Sequence, residues 1–118
     1  MQIGNFRGFE VQLRDPGIAL VTFNQPERLN GMRGELKRDL GEILLEAQVD
    51  DAVRVVVITG TGRGFSAGDD ITGRKVDYEG TQQLLPTVTR GERGPMASYG
   101  GLRGFSQSLN LAVRNLDK

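Results

Sequence analysis

The sequence predicts an α/β protein made of a single domain. Three observations support this prediction: an alternating apolar pattern near the amino terminus, an amphipathic helical stripe after it, and a run of β-branched residues around position 56. With 118 residues, the chain is long enough for one hydrophobic core and too short for a second independent domain. The elements are therefore expected to pack together as layers around one core.

The first expected element is a hairpin. Residues 9–13 alternate between apolar and polar side chains, the period of a half-buried strand, with Phe9, Val11 and Leu13 on the apolar face. Residues 15–17 read Asp-Pro-Gly, in which proline restricts φ and glycine accepts a positive φ, so a turn is expected there. Residues 18–23 then return as the second strand.

A helix follows the hairpin. Its apolar stripe has the spacing of one helix face and consists of Met32, Leu36, Leu40, Ile43, Leu44 and Ala47. Its start is poorly defined, because Gly34 weakens the first turn and Arg33 stands where a serine or threonine cap would be expected.

A strand is predicted over Val53 and residues 55–58, a nearly continuous apolar run. Such runs are typical of parallel strands covered on both faces, so we expect a neighbouring strand on each edge. The glycine-rich stretch GTGRGFSAGDDI, residues 60–71, begins at the carboxyl end of this strand. Ligands of open α/β sheets bind at such ends, which favours a functional role for the stretch.

The remaining residues are expected to form a long loop and a final helix. Residues 72–104 contain many glycines and no sustained periodicity, and we predict a mobile loop there. A helical stripe returns over 105–118, with Phe105, Leu109, Ala112, Val113 and Leu116. Together the predicted elements have more apolar faces than they can cover among themselves.

Composition excludes several classes of function. Fifteen basic residues balance fifteen acidic ones without forming blocks, so neither nucleic acid nor a membrane surface is an expected partner. The absence of cysteine excludes disulfides and thiolate chemistry, and the absence of histidine excludes a Ser/His/Asp triad. We expect no metal site. The amino terminus has no apolar run suited to export, so a cytoplasmic location is expected.

The glycine-rich stretch fits three interpretations unequally. As a dinucleotide fingerprint it gives GxGxG rather than GxGxxG, and a Walker loop would need a lysine followed by serine or threonine. A simple connector that reverses the chain is the second interpretation. The third is a ligand loop, in which Ser66, Ala67 and Gly68 lead into a short helix and expose backbone amides.

Two separated motifs resemble the crotonase family, the enoyl-CoA hydratases and isomerases. They are NQPERLNGM before the first helix and VRVVVITGTGRGFSAGDDI around the glycine-rich stretch, and they occur in the family's order. The resemblance extends over nearly the whole chain and implies the amino-terminal part of a layered ββα spiral fold. It also implies an acyl-CoA enzyme that holds a thioester enolate with two backbone N–H groups.

By position in the motif, the resemblance makes the backbone N–H of Asp69 the first oxyanion donor. It places coenzyme A, as part of the thioester substrate, against Arg28 and Leu29 and against the run Ser66, Ala67, Gly68, Asp69, Asp70 and Ile71. Arg28 is a candidate for pairing with a CoA phosphate, the alternative being a solvated side chain.

Two side chains of this motif need separate interpretation. The family usually has a small or apolar residue where Asp69 stands, so its carboxylate either orients a polar acyl group or faces solvent at a helix start, where the dipole suits it. Asp70 matches the family's usual acid, for which we expect a capping or loop-fixing role rather than acid/base catalysis.

The resemblance leaves the catalytic apparatus incomplete. The family's second oxyanion donor and its acids come from segments that would follow Lys118, so we expect these residues alone to be inactive. Hydration, isomerisation, hydrolysis and ring opening stay open, as does a non-catalytic interaction domain that retains the crotonase fold. No prosthetic group is expected, and the family resemblance implies a homotrimer or hexamer.

Overall fold

A four-stranded sheet forms one layer of the protein. The computed structural model describes residues 1–85 and 102–118. The strands are β1 (Gly4–Phe6), β2 (Phe9–Arg14), β3 (Ile18–Phe23) and β4 (Val55–Gly60), in the order β1-β2-β3-β4. The first three pair antiparallel, while β4 runs parallel to β3 with Ile18 opposite Val55. The predicted hairpin and the parallel strand are therefore confirmed.

The hairpin turn depends on Gly17. This glycine has φ +122°, and its N–H donates to the Arg14 carbonyl at 2.9 Å. Leu13, just before the turn, is 43% exposed, although its alternation with Val11 predicted burial. β1 was not predicted, because its three residues are too few to show a period.

Two helices accompany the sheet, and the second packs against the first. Helix α1 spans Gly34–Val49, and helix α2 spans Ser108–Asn115 after a π-helical segment, Leu102–Gln107. The stripe of α1 is buried as predicted from Leu36 to Ala47, while Met32 precedes the helix and is partly buried. Arg33 occupies the N-cap position and makes no capping hydrogen bond with its side chain.

The core lies between the sheet and α1, with one contribution from α2. The Phe6 and Phe9 rings stack at 5.3 Å between centroids within a cluster of buried side chains. The other members of this cluster are Val11, Val21, Phe23, Leu36, Leu40, Ile43, Leu44 and Leu109. This arrangement fixes the ends of β3 and β4 relative to the start of α1, which positions the site described below.

One ion pair is buried beside this core. The Arg7 Nε donates to Asp39 Oδ2 at 2.7 Å, and Nη2 donates to Oδ1 at 2.8 Å. Arg7 Nη2 also donates to the Leu85 carbonyl at 3.0 Å. The Asp39 side chain is fully buried, so this bidentate pair ties the β1–β2 turn to α1.

The prediction that the valine strand is covered on both faces is wrong for the described residues. Val56 and Ile58 face the core, whereas Val55 and Val57 are 40% and 41% exposed. In the described part of the sheet, β4 is an outer strand with a neighbour on one edge only. An apolar run shows that both faces of a strand can be buried. It does not show which other segments pack on those faces.

The carboxyl-terminal predictions need two corrections. The helical segment begins at Leu102, inside the span predicted as loop, and α2 ends at Asn115. Val113, predicted on the buried stripe, is 50% exposed. Residues 72–85 contain no helix and only one strand-like bridge, from Gln82 to Phe6. The rest of the predicted loop, 86–101, lies outside the described residues, and its mobility stays a prediction.

Candidate functional site

The two motifs meet as one unit of backbone pairing. The segment before α1 and the glycine-rich stretch after β4 are joined where the Ala67 N–H donates to the Leu29 carbonyl at 2.9 Å. The Met32 N–H then donates to Gly68 O at 2.8 Å, and the Asp70 N–H donates to Met32 O at 3.0 Å. These bonds make a parallel bridge between Met32 and Asp69.

Asn30 organises the turn between these segments. It is 1% exposed and has φ +51°, in the left-handed region that asparagine tolerates. Its Oδ1 accepts from the Gln25 N–H at 3.0 Å, and its Nδ2 donates to the carbonyls of Thr61 at 2.9 Å and Gly64 at 3.2 Å. Its own carbonyl accepts from Ser66 Oγ at 2.7 Å. This bridging role was not predicted from the sequence.

Two glycines of the stretch are required for different reasons. A Cβ on Gly60 would lie 2.3 Å from the Phe65 carbonyl and 2.8 Å from Asn30 Nδ2, so only a bare backbone fits. Gly68 has φ +91°, which side chains rarely adopt. A Cβ there would meet no described atom within 4 Å, so the Gly68 backbone borders open space. The stretch therefore combines close packing at one end with exposed backbone at the other.

The Asp69 amide has no hydrogen-bond partner among residues 1–85 and 102–118. The neighbouring groups are paired, since Gly68 O and the Asp70 N–H both bond to Met32. Successive peptide groups of an extended segment point to opposite sides, so the Asp69 N–H points away from Met32. Within the described chain, the Asp69 N–H therefore donates to no neighbouring carbonyl.

The helix expected to start after Gly68 is absent. Residues 69–71 form the bridge to Met32 and then extended chain, so no helix dipole acts on the Asp69 carboxylate. Instead, Asp69 Oδ1 lies 2.5 Å from Lys37 Nζ of α1. The Lys37 side chain is only 8% exposed, whereas that of Asp69 is 60% exposed. Lys37 Nζ also donates to Ser106 Oγ at 2.8 Å.

Asp70 fixes the loop through its carboxylate. Arg28 Nη2 pairs with Oδ2, while Oδ1 accepts from the Thr72 N–H at 3.0 Å and from Thr72 Oγ1 at 2.7 Å. The pKa of Asp70 lies well below its usual range. The hydrogen bond from Arg28 is the largest cause, and the hydrogen bonds from Thr72 add to it. The loop-fixing role expected for Asp70 agrees with these contacts. Arg28, 17% exposed at its side chain, is thereby already paired.

Apolar side chains are exposed on both segments. Leu29 is 42% exposed and Ile71 is 93% exposed. Phe65 is 57% exposed while its ring lies 5.3 Å from that of Phe23, between centroids. The two joined segments therefore present three exposed large apolar side chains.

A polar cleft of about 390 Å³ lies beside the loop. Arg33 borders both, because its Nη1 donates to the Arg74 carbonyl at 2.6 Å and lies 3.8 Å from Asp70 Oδ2. Burial raises the pKa of Tyr78 in this cleft, and the Glu35 carboxylate adds to the effect. The sequence did not predict this cleft, whose lining comprises Arg7, Arg33, Glu35, Lys75, Val76, Tyr78, Thr81 and Gln83.

The described residues contain neither a cluster of metal-ligating side chains nor a helix able to span a membrane. Across the described ranges, no group of three or more histidine, cysteine, aspartate or glutamate side chains is placed to hold a metal ion. Nor does any helix in the part of the chain that the structure describes have the length and apolarity needed to cross a lipid bilayer.

Comparison with known proteins identifies the family. A sequence model described as enoyl-CoA hydratase/isomerase matches residues 14–89. The chain belongs to the enoyl-CoA hydratase/isomerase family. The resemblance to crotonases is thus confirmed by a match that includes both motifs.

Individual members of the enoyl-CoA hydratase/isomerase family agree with this assignment. The 1,2-epoxyphenylacetyl-CoA isomerase of Escherichia coli K12 is 42% identical over 66 residues, covering 56% of this chain and 25% of that protein. A probable peroxisomal enoyl-CoA hydratase of Arabidopsis thaliana is 31% identical over 99 residues, covering 82% of this chain and 37% of the relative.

Solved structures show the same fold. The enoyl-CoA hydratase of Mycobacterium smegmatis superposes with a TM-score of 0.70 and 26% identity, covering 97% of this chain and 38% of that one. The predicted crotonase-like α/β fold is therefore confirmed. In each of these comparisons the chain spans only about a quarter to two fifths of the relative's length.

Proposed function

We propose that this chain provides the thioester-binding part of an acyl-CoA enzyme of the enoyl-CoA hydratase/isomerase type. The Asp69 N–H is proposed to donate a hydrogen bond to the thioester carbonyl. The observation that supports this proposal is the Asp69 amide itself, which has no partner among the described residues while the groups on either side of it are paired to Met32.

The physical basis is stabilisation of developing negative charge. When a thioester carbonyl becomes enolate-like, its oxygen gains charge, and a fixed N–H aimed at that oxygen stabilises the transition state by about 3 kcal/mol. The bridge between Met32 and Asp69 holds the amide in place before the ligand arrives. Gly68 has no side chain to block the approach of the oxygen.

The remaining residues of the site are proposed to line the coenzyme A moiety. Leu29 and Ile71 offer exposed apolar surface to the pantetheine and adenine, and Ser66 and Ala67 contribute backbone beside them. Arg28 remains a candidate for a CoA phosphate. Because Asp70 already pairs with Arg28, a phosphate would have to share this guanidinium, and we expect a modest contribution from it.

Other parts of the proposal follow from family membership. Backbone amides act on the thioester directly, so the reaction is proposed to proceed without a prosthetic group. A homotrimeric or hexameric assembly is proposed as well, to be checked by light scattering of the natural full-length polypeptide. The choice among hydration, isomerisation, hydrolysis and ring opening depends on groups outside this site.

Selective labelling tests the central contact. In the full-length polypeptide labelled with ¹⁵N-aspartate, a saturated acyl-CoA should move the Asp69 amide proton downfield, whereas free CoA should leave it nearly unchanged. Asp69→Ala keeps the N–H, and an ester linkage to a lactic acid unit at the same position removes it. The ester form should lose activity about a hundredfold relative to Asp69→Ala.

Two results would exclude this function. Equal activities of the amide and ester forms would show that the N–H does not act on the substrate. Failure of any acyl-CoA to shift the Asp69 signal would favour the alternative of a non-catalytic interaction domain that retains the fold.

A further inference from the structure

Lys37 is a buried cation that joins three segments. Its side chain is 8% exposed, and its Nζ contacts Asp69 Oδ1 at 2.5 Å and Ser106 Oγ at 2.8 Å. The first atom belongs to the loop, the second to the segment before α2, and the lysine itself to α1. Because burying an ammonium group is costly unless it is paired, the Asp69 carboxylate is the counter-charge that makes this position tolerable.

Without a counter-charge, the Asp69 carboxylate would work against the proposed role of the Asp69 N–H in stabilising a negatively charged oxygen. It belongs to the same residue as the proposed oxyanion donor, so it lies within a few ångströms of any oxygen bound to that N–H. A second negative charge at that distance raises the energy of a developing oxyanion. The Asp69 side chain is 60% exposed, so water screens part of this charge, and Lys37 contacts the carboxylate from the buried side.

We propose that Lys37 is a positioning and charge-compensating residue of the oxyanion site. It holds the Asp69 side chain toward α1, away from the thioester, and offsets its negative charge. This inference rests on the proposed role of the Asp69 N–H. It explains how a carboxylate is accommodated at this position, and it applies to a thioester with any acyl group.

Four variants of the natural full-length polypeptide test the proposal. Lys37→Met removes the charge and keeps the apolar stem, and Asp69→Asn removes the opposing charge. The double variant Lys37→Met/Asp69→Asn removes both. The matched control is Arg38→Met, since Arg38 is the next cation on α1 and lies 5.9 Å from the Phe105 ring centre but does not contact Asp69.

The probe is a conjugated dienoyl-CoA, whose absorption moves to longer wavelength when its carbonyl is polarised. Lys37→Met is expected to lose most of this shift and to lower kcat by about ten- to a hundredfold, with KM changed by less than about threefold. The double variant should regain the shift and recover to the level of Asp69→Asn alone. Arg38→Met should match the wild type.

The outcomes separate the two proposals. If the double variant is as impaired as Lys37→Met, or if Lys37→Met matches Arg38→Met, charge compensation is wrong while the oxyanion role stands. If the wild type neither shifts the probe nor turns over any thioester, the proposed function fails and this inference with it. Should Lys37→Met not fold, Lys37→Gln, which keeps a donor for Ser106 without the charge, is measured in its place with the same expectations.

Discussion

Replacing Asn30 by alanine should destabilise the protein more than any surface substitution in the same loop. The change removes hydrogen bonds to the Gln25 N–H and to the carbonyls of Thr61 and Gly64. Each group left unpaired costs about 1 to 3 kcal/mol, and about 1 kcal/mol applies here because none of the three residues is fully buried. Alanine at φ +51° adds about 1 kcal/mol. The expected loss in the free energy of unfolding is about 4 kcal/mol.

Urea unfolding followed by far-ultraviolet circular dichroism measures this loss. Asn30→Gly removes the same hydrogen bonds but accepts the left-handed backbone, so it should be about 1 kcal/mol more stable than Asn30→Ala. Asn30→Asp keeps the acceptor for the Gln25 N–H and should have a stability between those of the wild type and Asn30→Ala. A loss below about 1 kcal/mol for Asn30→Ala would refute the role assigned to this side chain.

Three further predictions concern burial, close packing and pH. Asp39→Ala leaves the buried Arg7 guanidinium without its carboxylate and should lower the free energy of unfolding by about 3 to 5 kcal/mol in urea titrations; a loss below about 1 kcal/mol would contradict this. Gly60→Ala forces a Cβ against the Phe65 carbonyl and should lower the free energy of unfolding by at least about 2 kcal/mol in thermal melts. Gly64→Ala, whose Cβ would meet no described atom within 4 Å, should change it by less than about 0.5 kcal/mol. Equal effects of the two substitutions would exclude the packing argument. The lowered pKa of Asp70 contributes stability that is fully present above the unfolded value of 3.8 and is lost as pH falls toward the folded value. Asp70→Asn should therefore be less stable than the wild type at about pH 6, and a gap that fails to narrow at about pH 3 would argue against this linkage.

Periodicity predicted the elements that present a repeated pattern. The hairpin strands and α1 were predicted closely, because each has enough residues to show which face is buried. β1 and the limits of α2 were missed, since three residues show no period and the apolar stripe of α2 continues past its end at Asn115. The exposure of Val55 and Val57 was missed for a different reason: β-branched composition is a property of the strand, while its cover is supplied by the rest of the molecule.

The family resemblance indicated the Asp69 amide by its position in the motif, and its role as an oxyanion donor stays a prediction. The side-chain contacts around Asp69 were not expected from the sequence. Nothing local to Asp69 indicates Lys37, which is 32 residues earlier and is brought near only when α1 packs on the sheet. The prediction of a helix after Gly68 was wrong, because Gly68 O and the Asp70 N–H, which a first helical turn would use, are paired with Met32.

The bridge between Met32 and Asp69 also sets a rule for anyone who builds chimaeras from these proteins. Since the segment before α1 and the glycine-rich stretch are hydrogen-bonded to each other, transplanting the glycine-rich stretch alone would leave it without its backbone partners. A graft that brings residues 25–32 together with 60–72 moves a self-consistent module, with Asn30 and the Arg28–Asp70 pair included. Distance along the sequence is thus a poor guide to where such a protein can be cut and rejoined.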